Sequence, residues 1–222
     1  MKRLPGILAA LLLIGAQTAA AQEQQMTFFV TSANPGDGAD LGGLEGADAY
    51  CETLADAAGV GDLTWHAYLS TTGPGGVNAR DRIGEGPWHN HAGTLVARDL
   101  YHLHSNGSNL TKATILTENG DELNGRGDDP NMHDVLTGST MEGMASDADG
   151  DTTCSNWTSS SADGSALVGH HDRVGGGQNP TSWNSAHASR GCGLENLRGT
   201  GGDGRFFCFA IDGGGGEARR ER

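Results

Sequence analysis

The sequence predicts an α+β domain. Three observations carry that expectation: β-forming runs near both ends, "MTFFVTS" at 26–32 and "RFFCFAI" at 205–211; one strongly periodic helix; and two long tracts rich in turn residues. Apolar residues are 36% of the chain and scattered throughout, with charged residues at 19%, a folded rather than a disordered composition. Glycine is abundant at 37 residues and aromatics are scarce at 5%, so the core is expected to carry long irregular loops.

In chain order, residues 1–21 read as a signal peptide. Lys2 and Arg3 precede an apolar run from Gly6 to Gly15, and Ala19-Ala20-Ala21 stands before Gln22. The run is too short and wrongly flanked for a membrane anchor, and no later segment approaches the ~20 apolar residues of a span. The expected location is secreted or periplasmic, without membrane insertion. Residues 22–212 form one expected domain, and "GGGGEARRER" at 213–222 reads as a flexible tail. Cleavage removes two of 14 basic residues and none of 28 acidic ones, taking the net charge from −14 to −16. That surface repels nucleic acid, which is excluded as a partner.

After the first strand, "NPGDG" marks a turn. The helix follows, with Leu44, Ala47, Cys51, Leu54, Ala55 and Ala58 on one stripe, Asp40 as its N-cap and Gly59 at its end. "TWHAYLST" at 64–71 reads as a strand, 94–103 as a second helix through Val96, Leu100 and Leu103, and 113–118 and 166–171 as further strands. Tracts 119–164 and 172–203 read as loops of a length that usually serves function.

Cys51, Cys154, Cys192 and Cys208 are even in number in a chain expected to be exported, which predicts two disulfides with three connectivities open. No C-x-x-C occurs, so they act as staples rather than as a redox or zinc motif. Arg126-Gly127-Asp128 fits a turn better than an adhesive ligand. Asp147, Asp149 and Asp151 alternate as in calcium loops, although Gly150 and Thr158 depart from the EF-hand pattern; a solvated acidic turn is the competing reading. Nine histidines lack any zinc-binding spacing and read as surface or loop-bridging groups. "GHHDR" at 169–173 and "SWNSAH" at 182–187 contain the residue types of a hydrolase but no nucleophile elbow.

The phrases "LGGLEGADAYC", "TWHAYLST", "CSNWTS" and "RFFCFA" resemble bacterial secreted proteins often labelled lectin, and the layout resembles the C-type-lectin-like fold with its endostatin-type relatives. The resemblance covers roughly residues 26–211. It implies paired terminal strands, two helices, long irregular loops, and disulfides Cys51–Cys208 and Cys154–Cys192. Sugar-binding members hold calcium with a Glu-Pro-Asn or Gln-Pro-Asp segment and a Trp-Asn-Asp segment. Asp129-Pro130-Asn131 and Trp183-Asn184-Ser185 stand in the same order here, with longer spacings and Ser185 in place of the family's Asp. Asp129, Asn131 and Asn184 are chemically suitable calcium ligands, and an X-Pro bond at such a turn is a candidate for cis. Asn131, Trp183 and Asn184 are the expected ligand contacts, the indole serving as a sugar platform. Loop-capping and core-packing roles are the alternative for the same residues. The resemblance therefore implies an exported, non-enzymatic carbohydrate-binding protein assisted by calcium. The alternatives are a hydrolase or metalloenzyme using the histidine-rich loops, and an adhesive surface protein whose partner is another extracellular protein.

Overall fold

A computed structural model describes residues 25–212; the leader expected at 1–21 and the tail at 213–222 lie outside the described residues. The elements run β1 (Phe28–Val30), α1 (Gly43–Ala57), β2 (Trp65–Ala67), a 3-10 turn (Ala79–Asp81), β3 (Trp88–His89), β4 (Leu95–Ala97), α2 (Leu100–Leu103), β5 (Asp134–Leu136), α3 (Cys154–Trp157), β6 (Leu167–His170), β7 (His187–Ala188), α4 (Leu194–Thr200) and β8 (Gly202–Ala210). The fold class is α+β as expected.

The sheet is organised around β8. Its C-terminal half pairs antiparallel with both β1 and β2, and its N-terminal half pairs parallel with β5, which continues to β6 and β7. Successive strand residues face opposite ways, and β8 uses both faces. Phe206, Cys208 and Ala210 enter the core beneath α1, with Ala47, Cys51 and Ala55 of that helix. Phe207 and Phe209 enter a second core, with Phe28, Tyr68, Trp88 and Trp183. Cys51 bonds Cys208, and Cys154 bonds Cys192. The terminal strands pair through Phe29–Cys208, so the first disulfide joins the helix to the pairing of the chain's two ends.

Several boundaries differ from the sequence expectation, each for a local reason. Helix α1 begins after Gly42, whose φ of 76° only glycine adopts easily, so Asp40 is a turn residue rather than the N-cap. The stretch 94–103 divides: Leu95–Ala97 pairs with β3, and Asp99 caps α2 by accepting from the His102 N–H at 2.7 Å. Residues 113–118 form no strand, only two isolated bridges, Val30–Thr117 and Leu116–Glu122. There the Thr114 hydroxyl accepts from the Thr111 N–H at 2.9 Å, a local bond that competes with a ladder. The tract 119–164 contains β5 and α3, and 172–203 contains β7 and α4. The α3 turn is left-handed, with positive φ at Cys154, Ser155, Asn156 and Trp157. Its Trp157 indole is buried and donates to the Ser70 carbonyl at 2.8 Å.

The Cys51–Cys208 bridge closes a loop of 157 residues. On the chain-entropy account it stabilises by about 5 kcal/mol. The double substitution Cys51→Ala with Cys208→Ala should lower Tm by roughly 10 to 20 °C in calorimetry, since about 2–4 °C accompanies each kcal/mol at this size. A drop under ~3 °C would show that the paired ends hold without it.

Candidate functional site

The expected ligand residues separate into two environments. Trp183 is 3% exposed, its ring packed on Tyr68 and Phe207 with centroids 4.9 and 5.4 Å apart. The indole is a core group with no open face for a sugar. Asn184 is also buried, and its amide nitrogen donates to the Tyr68 hydroxyl and the Thr140 and Met141 carbonyls at 3.0 to 3.2 Å. It cross-links loops and is not free to ligate an ion. Burial, the largest influence on Tyr68, pushes its phenol well above the ordinary range, so it stays protonated to complete this chain with His104 at 2.8 Å.

The other half of the expected site lies at the surface. Asp129, Pro130, Asn131 and Met132 form one wall of a cleft of about 470 Å³, and Arg198 to Asp203 form the other. The Asp129–Pro130 bond is cis. Asp203 is engaged by Arg198 and Arg205, each at 2.9 Å, so its charge is already compensated. Asp129 and Asn131 thus meet neither Trp183 nor Asn184 in any of these contacts, and the expected calcium set is not assembled.

The acidic loop is a capped turn. Asp151 accepts from the backbone N–H groups of Thr153 and Ser155 at 2.9 to 3.1 Å, while Asp147 and Asp149 are exposed. The Arg126-Gly127-Asp128 turn is tied down likewise: the Arg126 N–H reaches Asp172 at 2.6 Å, and Asp128 pairs with Lys112 at 2.5 Å.

A different constellation emerges under the cleft. Among the described residues, His133, Asp134 and His170 form the one group of His, Cys, Asp or Glu whose ligand atoms all lie within 4.8 Å of one another. Strand register explains their meeting. Asp134 and His170 are directly opposite on β5 and β6, and Leu136 pairs with Val168 two residues along the same face. An apolar cross-strand pair from the core is therefore followed by a polar one. The β5–β8 pairing shifts register between Asp134 and Val135, and such irregularities re-aim side chains. Consecutive residues His133 and Asp134 accordingly face one site. His187 arrives from β7, which pairs with β6 through Val168.

The Nε2 atoms of His133, His170 and His187 stand 3.2, 3.3 and 3.5 Å from the same oxygen, Asp134 Oδ1. Asp134 and His170 are buried, yet both Asp134 oxygens and His170 Nε2 lack a hydrogen-bond partner, so the approaches are close without being aligned. The opposite ring nitrogens are all occupied by carbonyls: His133 Nδ1 at Val174, His170 Nδ1 at Pro180 and His187 Nδ1 at Ala188, at 3.1, 2.8 and 3.1 Å. His133 Nδ1 is also 3.4 Å from Asp172 Oδ1. Burial raises Asp172 too, but His133 and the N–H groups of Arg126 and Val174 prevail and keep it strongly acidic. At Gly201 the chain passes so close that a β-carbon would lie 3.0 Å from His133 Nε2.

The spacing of these histidines along the chain gave no sign of this convergence; strand pairing makes it. The expectation of scattered surface or loop-bridging histidines is thereby corrected for His133, His170 and His187. No family model matches this chain, and no curated protein matches it at a significant level.

These placements separate core from ligand roles. Trp183→Ala should destabilise by about 3–5 kcal/mol in urea unfolding, as for other buried aromatic truncations. A loss below ~1 kcal/mol would mean that the indole is not a core group.

Proposed function

We propose that this chain is an exported, C-type-lectin-like domain that binds carbohydrate in the cleft between Asp129–Met132 and Arg198–Asp203. The observation that carries this reading is the cleft itself: the turn that resembles the sugar-binding segment forms its wall. Carboxylate, amide, guanidinium and hydroxyl groups from Asp129, Asn131, Arg198 and Thr200 line it, which suits a polyhydroxylated ligand. Further support for the fold comes from the paired β1 and β8 and from the two disulfides joined as the resemblance implies. Those disulfides also fit an oxidising compartment, in line with export.

Binding in this cleft is calcium-independent in our reading. Calcium takes six to eight oxygens, and the cleft supplies Asp129 and Asn131 while Asp203 is committed to two arginines. Asn131 itself is partly used, since its side-chain oxygen accepts from the His133 N–H at 3.3 Å.

A glycan array read with and without chelator tests the reading. The wild type should bind a glycan equally in both, and Asn131→Ala or Arg198→Ala should weaken binding at least ~10-fold, the scale of one lost hydrogen bond to a charged group. Binding that both substitutions leave intact would place the sugar elsewhere. Absence of any glycan ligand would remove the carbohydrate reading and leave an extracellular protein as the partner to seek.

A further inference from the structure

The geometry points to a zinc centre: His133 and His170 through Nε2, with Asp134 through Oδ1, hold one zinc ion beneath the cleft. This inference is independent of what fills the cleft.

The argument begins with proton positions. Each Nδ1 faces a backbone carbonyl, which accepts but cannot donate, so each Nδ1 carries the hydrogen. A neutral imidazole has one N–H, so each Nε2 then presents a lone pair. The lone pairs of His133 and His170 stand 3.2 and 3.3 Å from an anionic oxygen, and the three atoms all lie within 4.8 Å of one another. Without a positive centre that arrangement is repulsive, in a buried place where repulsion is poorly screened. Protonating the rings does not resolve it, because the rings of His133 and His170 stack with centroids 4.2 Å apart and two imidazolium cations there would repel. One proton also leaves the remaining nitrogens unsatisfied.

A single cation satisfies all three atoms. Zinc bonds imidazole nitrogen and carboxylate oxygen at about 2.0–2.1 Å in a tetrahedron, which places neighbouring ligand atoms about 3.3 Å apart. The distances from Asp134 Oδ1 to the His133 and His170 nitrogens, 3.2 and 3.3 Å, match that edge. Nitrogen-rich ligation excludes calcium and magnesium, which take oxygen. All four cysteines are in disulfides, so no thiolate competes.

The surroundings are those of a metal site as well. Each histidine is oriented by a hydrogen bond from its far nitrogen, and His133 has in addition the Asp172 carboxylate, the arrangement that fixes tautomer and raises ligand basicity. Three protein ligands leave the fourth position of the tetrahedron open. His187, with its side chain 22% exposed and its Nε2 3.5 Å from Asp134 Oδ1, flanks the three ligands on the side nearer solvent.

The test uses the full exported chain, stripped with chelator, dialysed, and reloaded with zinc alone. One equivalent should remain by elemental analysis, Tm should rise on loading, and cobalt in its place should give the intense visible bands of a tetrahedral site. Asp134→Asn and His170→Ala should each lower zinc affinity at least ~100-fold, and Asp172→Asn, which leaves all three ligands present, about 10- to 100-fold. His102→Ala, outside the cluster, should bind as wild type. Because ligand variants can fail to fold, circular dichroism and the wild-type loading result stand beside them. A folded wild type that retains less than ~0.1 equivalent, or a different transition metal bound in preference to zinc, would overturn the proposal. His187→Ala, beside the three ligands, should cost less than ~10-fold in affinity, and a loss as large as that of His170→Ala would overturn the three-ligand centre.

Discussion

The burial of β8 on both faces is the constraint on which the other parts depend. Phe206, Cys208 and Ala210 fill one core while Phe207 and Phe209 fill the other. A slip of one residue would exchange these sets, bringing phenylalanines under α1 and turning Cys208 away from Cys51. The strand therefore has one register. Strand β5 takes its position from β8, β6 from β5 and β7 from β6. The meeting of His133, Asp134, His170 and His187 is a consequence of that succession, fixed by hydrophobic packing at some remove from any of the four.

Comparison among the buried carboxylates shows why Asp134 stands apart. Glu118 is buried, but it accepts from the Ser32 N–H, the Ser32 hydroxyl and the Asn119 amide. Asp172 accepts from two backbone N–H groups. Both follow the rule that a charge removed from water is supplied with donors. Neither oxygen of Asp134 has a hydrogen-bond partner, and three imidazole nitrogens stand 3.2 to 3.5 Å from Oδ1. In a chain of net charge −14, an uncompensated internal anion adds to an existing excess. The same fold satisfies its other internal acids, so the exception belongs to the site and not to loose packing.

The sequence made the scaffold legible and hid the site, for one physical reason. Helix α1 and strands β1, β2, β6 and β8 carry their own signals, because a stripe of apolar residues or a run of β-formers reports local burial. The residues of β5 do not. Val135 and Leu136 are preceded by "DDPNMHD", which has the composition of a turn, and three residues are too few for a period. With β5 read as loop, nothing could align Asp134 with His170 or bring His187 beside them. The α4 segment was concealed likewise, since "LENLRGT" has one buried residue, Leu197. Trp183 and Asn184 failed as site markers for the converse reason: an aromatic and an amide in a loop tract resemble ligand contacts until tertiary packing takes them inside. The Asp129–Asn131 turn lines a cleft with Arg198 to Asp203 rather than with Trp183 and Asn184.

The cleft and the cluster share a wall. Asn131 lies on the cleft, and two residues later His133 turns its imidazole to Asp134, with the Asn131 side chain accepting from the His133 N–H between them. On the opposite wall, Gly201 lies against His133 and Gly202 pairs with Asp134. Both sides of the cleft are therefore anchored to the same group of four side chains. A surface loop ordinarily loses conformational freedom when a ligand arrives, and that loss subtracts from affinity. Here the turn is held from beneath before any ligand is present. Whatever enters the cleft meets walls whose spacing the interior has already set, which is how a loop with few apolar contacts of its own can offer a defined binding surface.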